Sequence, residues 1–466
     1  MTSSVDGLVS GLSTSSLISQ LMTVEAAPQT ALKTKVTTAQ TAVASYQSVN
    51  TKLSSIKSAA DGLGQLSTWR GIKAVSSSAT VTATAMTGTN GAAGTTTFDV
   101  KALAKSQLTT ARVSGADPIV DADSITITVG PLDGSDSDKT FTVDVSKDKT
   151  AAGVASAINA AGIGVKAALV ATGGTDKVLQ LSGTKTGSSN GFDVQGLGTV
   201  GTPVSLINVA SASDARLEVG GGDANSVNGG YDVTSSTNTF TGLMPGVSIT
   251  VSKEEDGVTI NATSDVSGIA DKFQALVDAA NSALDEISKQ TAYDASTKKG
   301  SPLTGDFAVR NMTQTILSAV SQGLSYDDPA WVRPDPDTDP PSSPDKINFG
   351  SLAQFGIQLD DTGHLTFNSA KFTESYADDP SKIQEAGIAL GDQFEAMAGN
   401  MSINVQSVIT GRNNEIDRMN TQIDDWDVRL DAKRAALQKQ YSDLEVALGK
   451  LKDQSNWLSG QLAGLH

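Results

Sequence analysis

The sequence predicts an α+β multidomain fold: a helical, coiled-coil stalk from paired N- and C-terminal segments, with inserted β-rich head domains. Three observations predict it. Apolar residues recur at steps of three and four over both ends of the chain, which is the helical period. Through the middle they alternate at period two between Gly, Asn and Thr clusters, as in half-buried strands. The 466 residues are 38% hydrophobic and 5% aromatic, against 44 Gly and 103 Ser plus Thr. That composition suits thin β layers hung on a stalk better than one deep core.

The elements follow in order. Ser13 stands where it can cap a short helix carrying Leu17, Ile18, Leu21 and Met22, and Pro28 interrupts that helix. Leu32, Val36, Ala39, Val43, Tyr46, Val49, Leu53, Ile56, Ala60 and Leu63 then form one stripe of an amphipathic helix of about thirty residues. Gly62 and Gly64 are its stop signals. Strands are expected at 80–85, 97–100, 124–129 and 140–145. A short helix over 151–161 separates them from strands at 165–170 and 178–181, so 124–194 reads as a compact β-β-α-β-β unit. Strands at 215–219 and 247–251 are split by Gly-rich loops.

Helix returns near Val266, with Ile269, Phe273, Leu276, Val277, Ala280, Leu284 and Ile287 on one stripe. A second helix carries Val309, Met312, Ile316, Leu317 and Val320. Residues 327–345 hold six of the 13 prolines and six aspartates without a glycine, which predicts a solvated, partly extended loop. Residues 357–359 and 365–367 flank Asp361-Thr362-Gly363 as a β-hairpin. The strongest feature is the final helix. Ile409, Ile416, Ile423, Leu430, Leu437, Leu444, Leu451, Leu458 and Leu465 recur every seven residues without a miss. Met419, Trp426, Tyr441, Leu448 and Leu462 fill companion positions, and Lys433 and Arg434 interrupt that second row. An unbroken seven-residue row marks a coiled-coil or bundle seam. The expected seam joins Ile409, Ile416, Ile423, Leu430, Leu437, Leu444, Leu451 and Leu458 to Leu32, Val36, Val43 and Leu53.

Four parts result. Residues 1–40 and 433–466 are terminal helical leg segments. Residues 41–73 and 266–432 form a helical bundle with a small hairpin near 355–368 and the loop 327–345. Residues 75–107 and 212–265 form a β-rich head domain, and 108–211 an outer β-rich domain inserted into it.

Composition excludes several chemistries. Without Cys there is no thiol nucleophile, disulfide framework or Cys-based metal site. Two His, His364 and His466, leave almost no material for a His-rich metal site or a Ser-His-Asp triad. A net charge of -17 argues against nucleic acid as a partner. No run approaches the length of a membrane span, and no cleaved signal is expected, because the first base is Lys33. Gly196, Gly198 and Gly201 match G-x-G-x-x-G, but Pro203 and the strand-like Val204–Val209 deny the helix a dinucleotide site needs. Asp335, Asp337 and Asp339 have calcium-loop spacing without the central Gly, with Pro336 among them and Pro340 directly after. His364 reads as a surface His at a turn. Nothing assembles into an active site, so neither an enzyme nor a cofactor or metal is expected.

The order of motifs carries a resemblance. Ser10-Gly11-Leu12, Leu21-Met22, Glu25 and Pro28 open the chain; Thr97-Phe98-Asp99-Val100 and Leu103-Ala104-Lys105-Ser106-Gln107 follow. Ala157-Ile158-Asn159-Ala160 and Thr186-Gly187 lie in the insert. Ser236-Thr237-Asn238, Phe240 and the stretch 246–251 come next. Phe273, Val277 and Asn281, then Gly305-Asp306, Val309-Arg310, Phe355-Gly356-Ile357, Gly363-His364-Leu365 and Gly411-Arg412 complete the series. Nearly end to end, this resembles the bacterial flagellar filament cap family, hook-associated protein 2. The loop 327–345 has no counterpart in that pattern.

The resemblance implies a structural protein at the distal tip of the filament, extracellular and exported through the flagellar type III apparatus. It implies a homo-oligomeric ring, pentamer favoured over tetramer or hexamer, beneath which flagellin subunits fold and insert. Further implied partners are hook–filament junction proteins, an export chaperone and host glycans or mucin. Leu12, Leu17, Leu21, Met22 and Leu462 would belong to the filament-contacting terminal segments, and Leu17, Leu21, Leu451 and Leu458 would order only in the assembly. A surface adhesin, flagellin itself or a hook–filament junction protein are the rival readings. The absence of Cys removes mispairing from a chain delivered unfolded to an oxidising exterior.

Overall fold

The computed structural model describes residues 13–86, 91–114, 116–173, 176–200, 202–220, 229–331 and 345–463. The expectations for Leu12, Gly201, Asp335, Asp337, Asp339 and Leu465 fall outside these residues. The chain divides into two compact units, Met1–Gln65 with Ala270–His466, and Leu66–Ile269.

Helices α1 (Thr14–Glu25), α2 (Ala27–Gly64) and α3 (Leu66–Trp69) open the described chain. Ser13 sits at the N-cap of α1 but makes no capping bond. The break falls at Ala26, and Pro28 lies in the first turn of α2, where a missing N–H costs nothing. At 38 residues α2 runs longer than the stripe suggests. Both stop glycines stay helical, and the helix ends at Gly64.

The second unit contains β1 (Ile72–Ser76), β2 (Val81–Ala85), β3 (Gly94–Ala102), β4 (Leu108–Ser114), β5 (Ser124–Gly130) and β6 (Lys139–Asp144). Then come α4 (Ala151–Ala161), β7 (Val165–Ala171), β8 (Asp176–Gly183), β9 (Gly191–Gln195), β10 (Ile207–Ala210) and β11 (Ala215–Val219). The series ends with β12 (Tyr231–Ser235), β13 (Thr239–Met244), β14 (Val247–Val251) and β15 (Glu255–Ser264). Two sheets, β1-β15-β3-β11-β12 and β13-β14-β2, enclose one core around Phe98, Leu217, Phe240, Ile249 and Ile260. Two others, β10-β4-β8-β7 and β6-β5-β9, enclose a second core with α4, around Ile125, Ile127, Ile158, Leu179 and Phe192. The stretch 124–194 is therefore not one self-contained unit. Its strands divide between two sheets, and β4 and β10, from outside it, complete one of them. Alternation could not reveal this, because period two marks a strand and leaves its neighbour unspecified.

In the first unit α5 (Val266–Thr291), whose residues belong to it from Ala270, is followed by β16 (Tyr293–Asp294), β17 (Lys299–Gly300) and α6 (Phe307–Ser321). Asp306 caps α6 by accepting from Val309 N at 3.1 Å. Strands β18 (Leu324–Asp327) and β19 (Lys346–Gly350) pair across the Pro-Asp loop, and β20 (Ile357–Leu359) with β21 (Leu365–Phe367) forms the expected hairpin. Phe273, Phe349, Phe355, Phe367 and Phe372 gather here with ring centroids 4.6–6.2 Å apart, concentrating scarce aromatics in one core. Helix α7 (Ser369–Asp378) leads into α8 (Pro380–Ala463), a single helix of 84 residues. No described helix is long and apolar enough to cross a membrane.

Candidate functional site

Helices α2 and α8 pack antiparallel, and their contacts fix the register. Lys57 Nζ meets Glu395 Oε1 at 3.2 Å, Ser402 Oγ donates to Asn50 Oδ1 at 2.6 Å, and Gln29 Nε2 donates to Ile423 O and Asp427 Oδ1 at 3.2 and 2.5 Å. At the far end Lys433 Nζ lies 3.8 Å from Glu25 Oε1, which gives the interruption of the companion row a partner on α1. At the near end a Cβ on Gly391 would stand 2.5 Å from Gly64 N, so the two backbones touch. Gln29 is buried, and its bonds make it a polar rung within an apolar seam.

The buried positions of α8 run at two periods. Ile383, Phe394, Val405 and Ile416 recur every eleven residues. From Ile409 onward the seven-residue row takes over. Along that row Ile409 and Ile416 are buried and Ile423, Leu430 and Leu437 half-buried. Leu444 is 47% exposed, Leu451 60%, and Leu458 and Leu462 are likewise open. On α2, Val36, Val43 and Leu53 are buried and Leu32 half-buried. The structure thus brings the upper half of the expected seam together, while the row from Leu444 outward stands free on this single chain. On α1, Leu17 and Leu21 are exposed, but Met22 is only 5% exposed. Met22 is buried on the single chain, so its burial needs no assembly.

Tyr46 ties the helices to α6. Its hydroxyl donates to Asp306 Oδ2. Burial, together with that carboxylate, pushes the Tyr46 phenol up to about 12. Ser48 Oγ and Gln290 Nε2 donate to Glu286 Oε1 at 2.6 and 2.7 Å, and these bonds hold the largely buried carboxyl below its usual range. His364 Nε2 donates to Asp285 Oδ1 at 2.8 Å and its Nδ1 pairs with Thr362 Oγ1 at 2.9 Å, which ties the hairpin turn to α5.

A device that sequence reasoning missed recurs at four motif amides. Gln107 Nε2 donates to Phe192 O at 2.6 Å while its Oε1 accepts from Phe192 N at 2.9 Å. Asn159 brackets Ala167 in the same way, at 2.7 and 3.0 Å. Asn281 brackets Leu365, at 2.8 Å both ways. Asn238 brackets Ala104, at 2.7 and 3.4 Å. Each amide imitates the paired donor and acceptor of a neighbouring strand. Three of these links, with Thr186 Oγ1 on Ser236 O (2.7 Å) and Ser188 Oγ on Asp214 Oδ2 (2.7 Å), knit the segments of the β unit. A Cβ on Gly187 (φ +100°) would stand 2.6 Å from Ser236, so Gly187 lets that crossing close. Gly196 and Gly198 also take positive φ, +93° and +120°, and the described residues after them form a β-bridge and extended chain, with no helix for a dinucleotide.

Comparison with known proteins gives a family. A model described as the flagellar hook-associated protein 2 C-terminus matches residues 212–453, and its N-terminal counterpart matches residues 10–107. The stretch between them holds the second β core. Flagellar hook-associated protein 2 of Escherichia coli strain K12 is 24% identical over 511 residues, covering 98% of this chain and 97% of the relative. The lateral flagellar hook-associated protein 2 of Vibrio parahaemolyticus is 26% identical over 290 residues, 58% of this chain and 59% of the relative. Among solved structures, the D1-D2-D3 domains of the flagellar cap protein FliD from Escherichia coli match with a TM-score of 0.58 at 20% identity. That match covers 79% of this chain and 99% of that one, and it shows a shared fold.

Proposed function

Because the chain belongs to the flagellar hook-associated protein 2 family, we propose how its geometry serves a cap at the distal tip of the bacterial flagellar filament. The protein is a structural component of the filament tip, outside the cell, and the adhesin, flagellin and junction-protein readings give way to this one. It self-associates and acts with flagellin during filament assembly. In finer detail, five copies close a ring, an export chaperone holds the chain before delivery, and junction proteins precede it on the growing structure. The four-part division at 1–40 and 433–466, 41–73 and 266–432, 75–107 and 212–265, and 108–211 describes its working parts.

The observation that carries this reading is the free half of the seam. From Ile409 to Leu437 the row is buried or half-buried on the single chain, and Leu444, Leu451 and Leu458, with the companion Leu462, are open. A row of leucines at heptad spacing is built to take another helix, and many modest contacts can be exchanged one at a time as a filament grows. Leu17 and Leu21 add apolar surface on α1.

The test substitutes Leu451→Asp with Leu458→Asp. Both positions are exposed on the single chain, so the melting temperature should stay within about 2 °C of wild type. Swimming and filament elongation should be lost, with flagellin shed into the medium. Normal filaments on this variant would overturn the assignment of the row to filament or neighbour contact.

A further inference from the structure

A ring of identical copies needs two different faces that fit each other, because a face that fits itself closes at two. The first unit offers one such face. Thr30, Thr34, Thr37, Thr38 and Thr41 lie along the exposed side of α2, and each turns its hydroxyl onto the carbonyl four residues before, at 2.9–3.1 Å. With its polar atoms satisfied inside the helix, the stripe presents methyl groups outward. Thr34, Thr37, Thr38 and Thr41 form one wall of a groove of about 410 Å³ whose other wall is Gly300 and Pro302. The bond from Tyr46 to Asp306 holds the segment after that wall against α2. In the same segment Phe307 is 79% exposed. Lys33, Lys298 and Lys299 are exposed on the two elements that form the groove.

The chain as a whole carries -17, so two copies repel wherever acidic surfaces meet. Lys33 and Lys35 on the groove's stretch of α2 and Lys298 and Lys299 on its other wall outnumber the one acid there, Asp294, which stands opposite Lys299. A complementary face lies on α8. Asp417, Asp424, Asp425 and Asp431 are exposed there around Val428, itself 71% exposed. We propose that the threonine groove on α2 of one copy receives the acidic face of α8 around Val428 from a second copy, a head-to-tail contact that propagates the ring. This rests on the ring-forming reading above. The net charge then acts as a filter, because repulsion disfavours every other approach of two copies.

The cysteine-free chain makes the test clean. Full-length Thr38→Cys and Val428→Cys variants, one carrying a size tag, are mixed under mild oxidation. The expected result is a disulfide between unlike copies and none when either variant is oxidised alone. In parallel, mass photometry follows Lys298→Glu with Lys299→Glu, then Asp424→Lys with Asp425→Lys. Each pair should weaken assembly by about tenfold or more, and a chain carrying both pairs should recover it. Assembly of wild type without the unlike-copy disulfide, a Thr38→Cys link to itself, or no recovery in the combined chain each overturns this contact and leaves the ring intact. A wild-type chain that stays monomeric at every concentration overturns the contact and the ring together.

Discussion

Gln107, Asn159, Asn238 and Asn281 each do with one side chain what a strand neighbour does with its backbone, satisfying an N–H and a C=O of a single residue. All four stand in motifs that catch the eye in the sequence. Phe192 and Ala167 stand in none, and nothing marks Ala104 or Leu365 as partners although each lies in a motif, because a main-chain partner carries no residue signature. Tyr46 is the titrating counterpart of these fixed links. Its protonated form donates to Asp306, so the folded state holds the proton more tightly than the unfolded chain, whose phenol titrates near 10. A pKa raised on folding contributes stability that is full below pH 10 and fades as pH climbs toward about 12. Melting temperature measured from pH 9 to 12 should therefore fall more steeply in wild type than in Tyr46→Phe. Parallel slopes would show that the phenol does not couple to folding.

At the scale of elements, α2 and α8 are specified by more than their leucines. A heptad row alone tolerates a slip of seven residues; the Gln29–Asp427 and Asn50–Ser402 rungs and the backbone contact at Gly64 and Gly391 do not. Gly391→Ala puts a methyl within 2.7 Å of both Gly64 N and Ala60 O, where backbone cannot yield. It should cost about 1–3 kcal/mol, read as a lower denaturant midpoint of the helical signal at constant slope. An unchanged midpoint would mean the helices part freely there. The lower α8 row was legible because seven-residue spacing is unmistakable. The eleven-residue pattern from Ile383 to Ile416 escaped notice, since Ala386, Gly391 and Ala398 occupy interior positions without marking them as apolar ridges. Likewise β2, β11 and β14 stood out by alternation, whereas β1 turns Ser76 and β12 turns Asp232 and Ser235 partly inward, and β15, whose Val258, Ile260 and Ala262 do alternate, is interrupted at Gly257.

Across the whole molecule, one unit is continuous in sequence and the other is not. Residues 66–269 fold from a single run of chain, whereas the helical unit is assembled from the two ends. A chain truncated after residue 379 lacks all of α8 and with it the partner of α2. Its far-ultraviolet signal should lose most helix while the β unit keeps a cooperative thermal transition. Retention of the α2 helix in that fragment would show that α2 is stable by itself. Few aromatics suffice for a molecule of this size because five phenylalanines share one core, and the two β cores are filled mainly by aliphatic residues.

The Gln29–Asp427 bond joins residues 398 positions apart. In any process that delivers the polypeptide from one end, whichever terminal helix comes first waits through almost the entire chain for the surface it must cover. Until the other end arrives, the helical unit has no second wall, while the β unit needs only its own stretch. The chain thus carries a clock written in contact distance: it stays pliable for as long as it is incomplete, and its helical unit sets only once the whole polypeptide has been delivered.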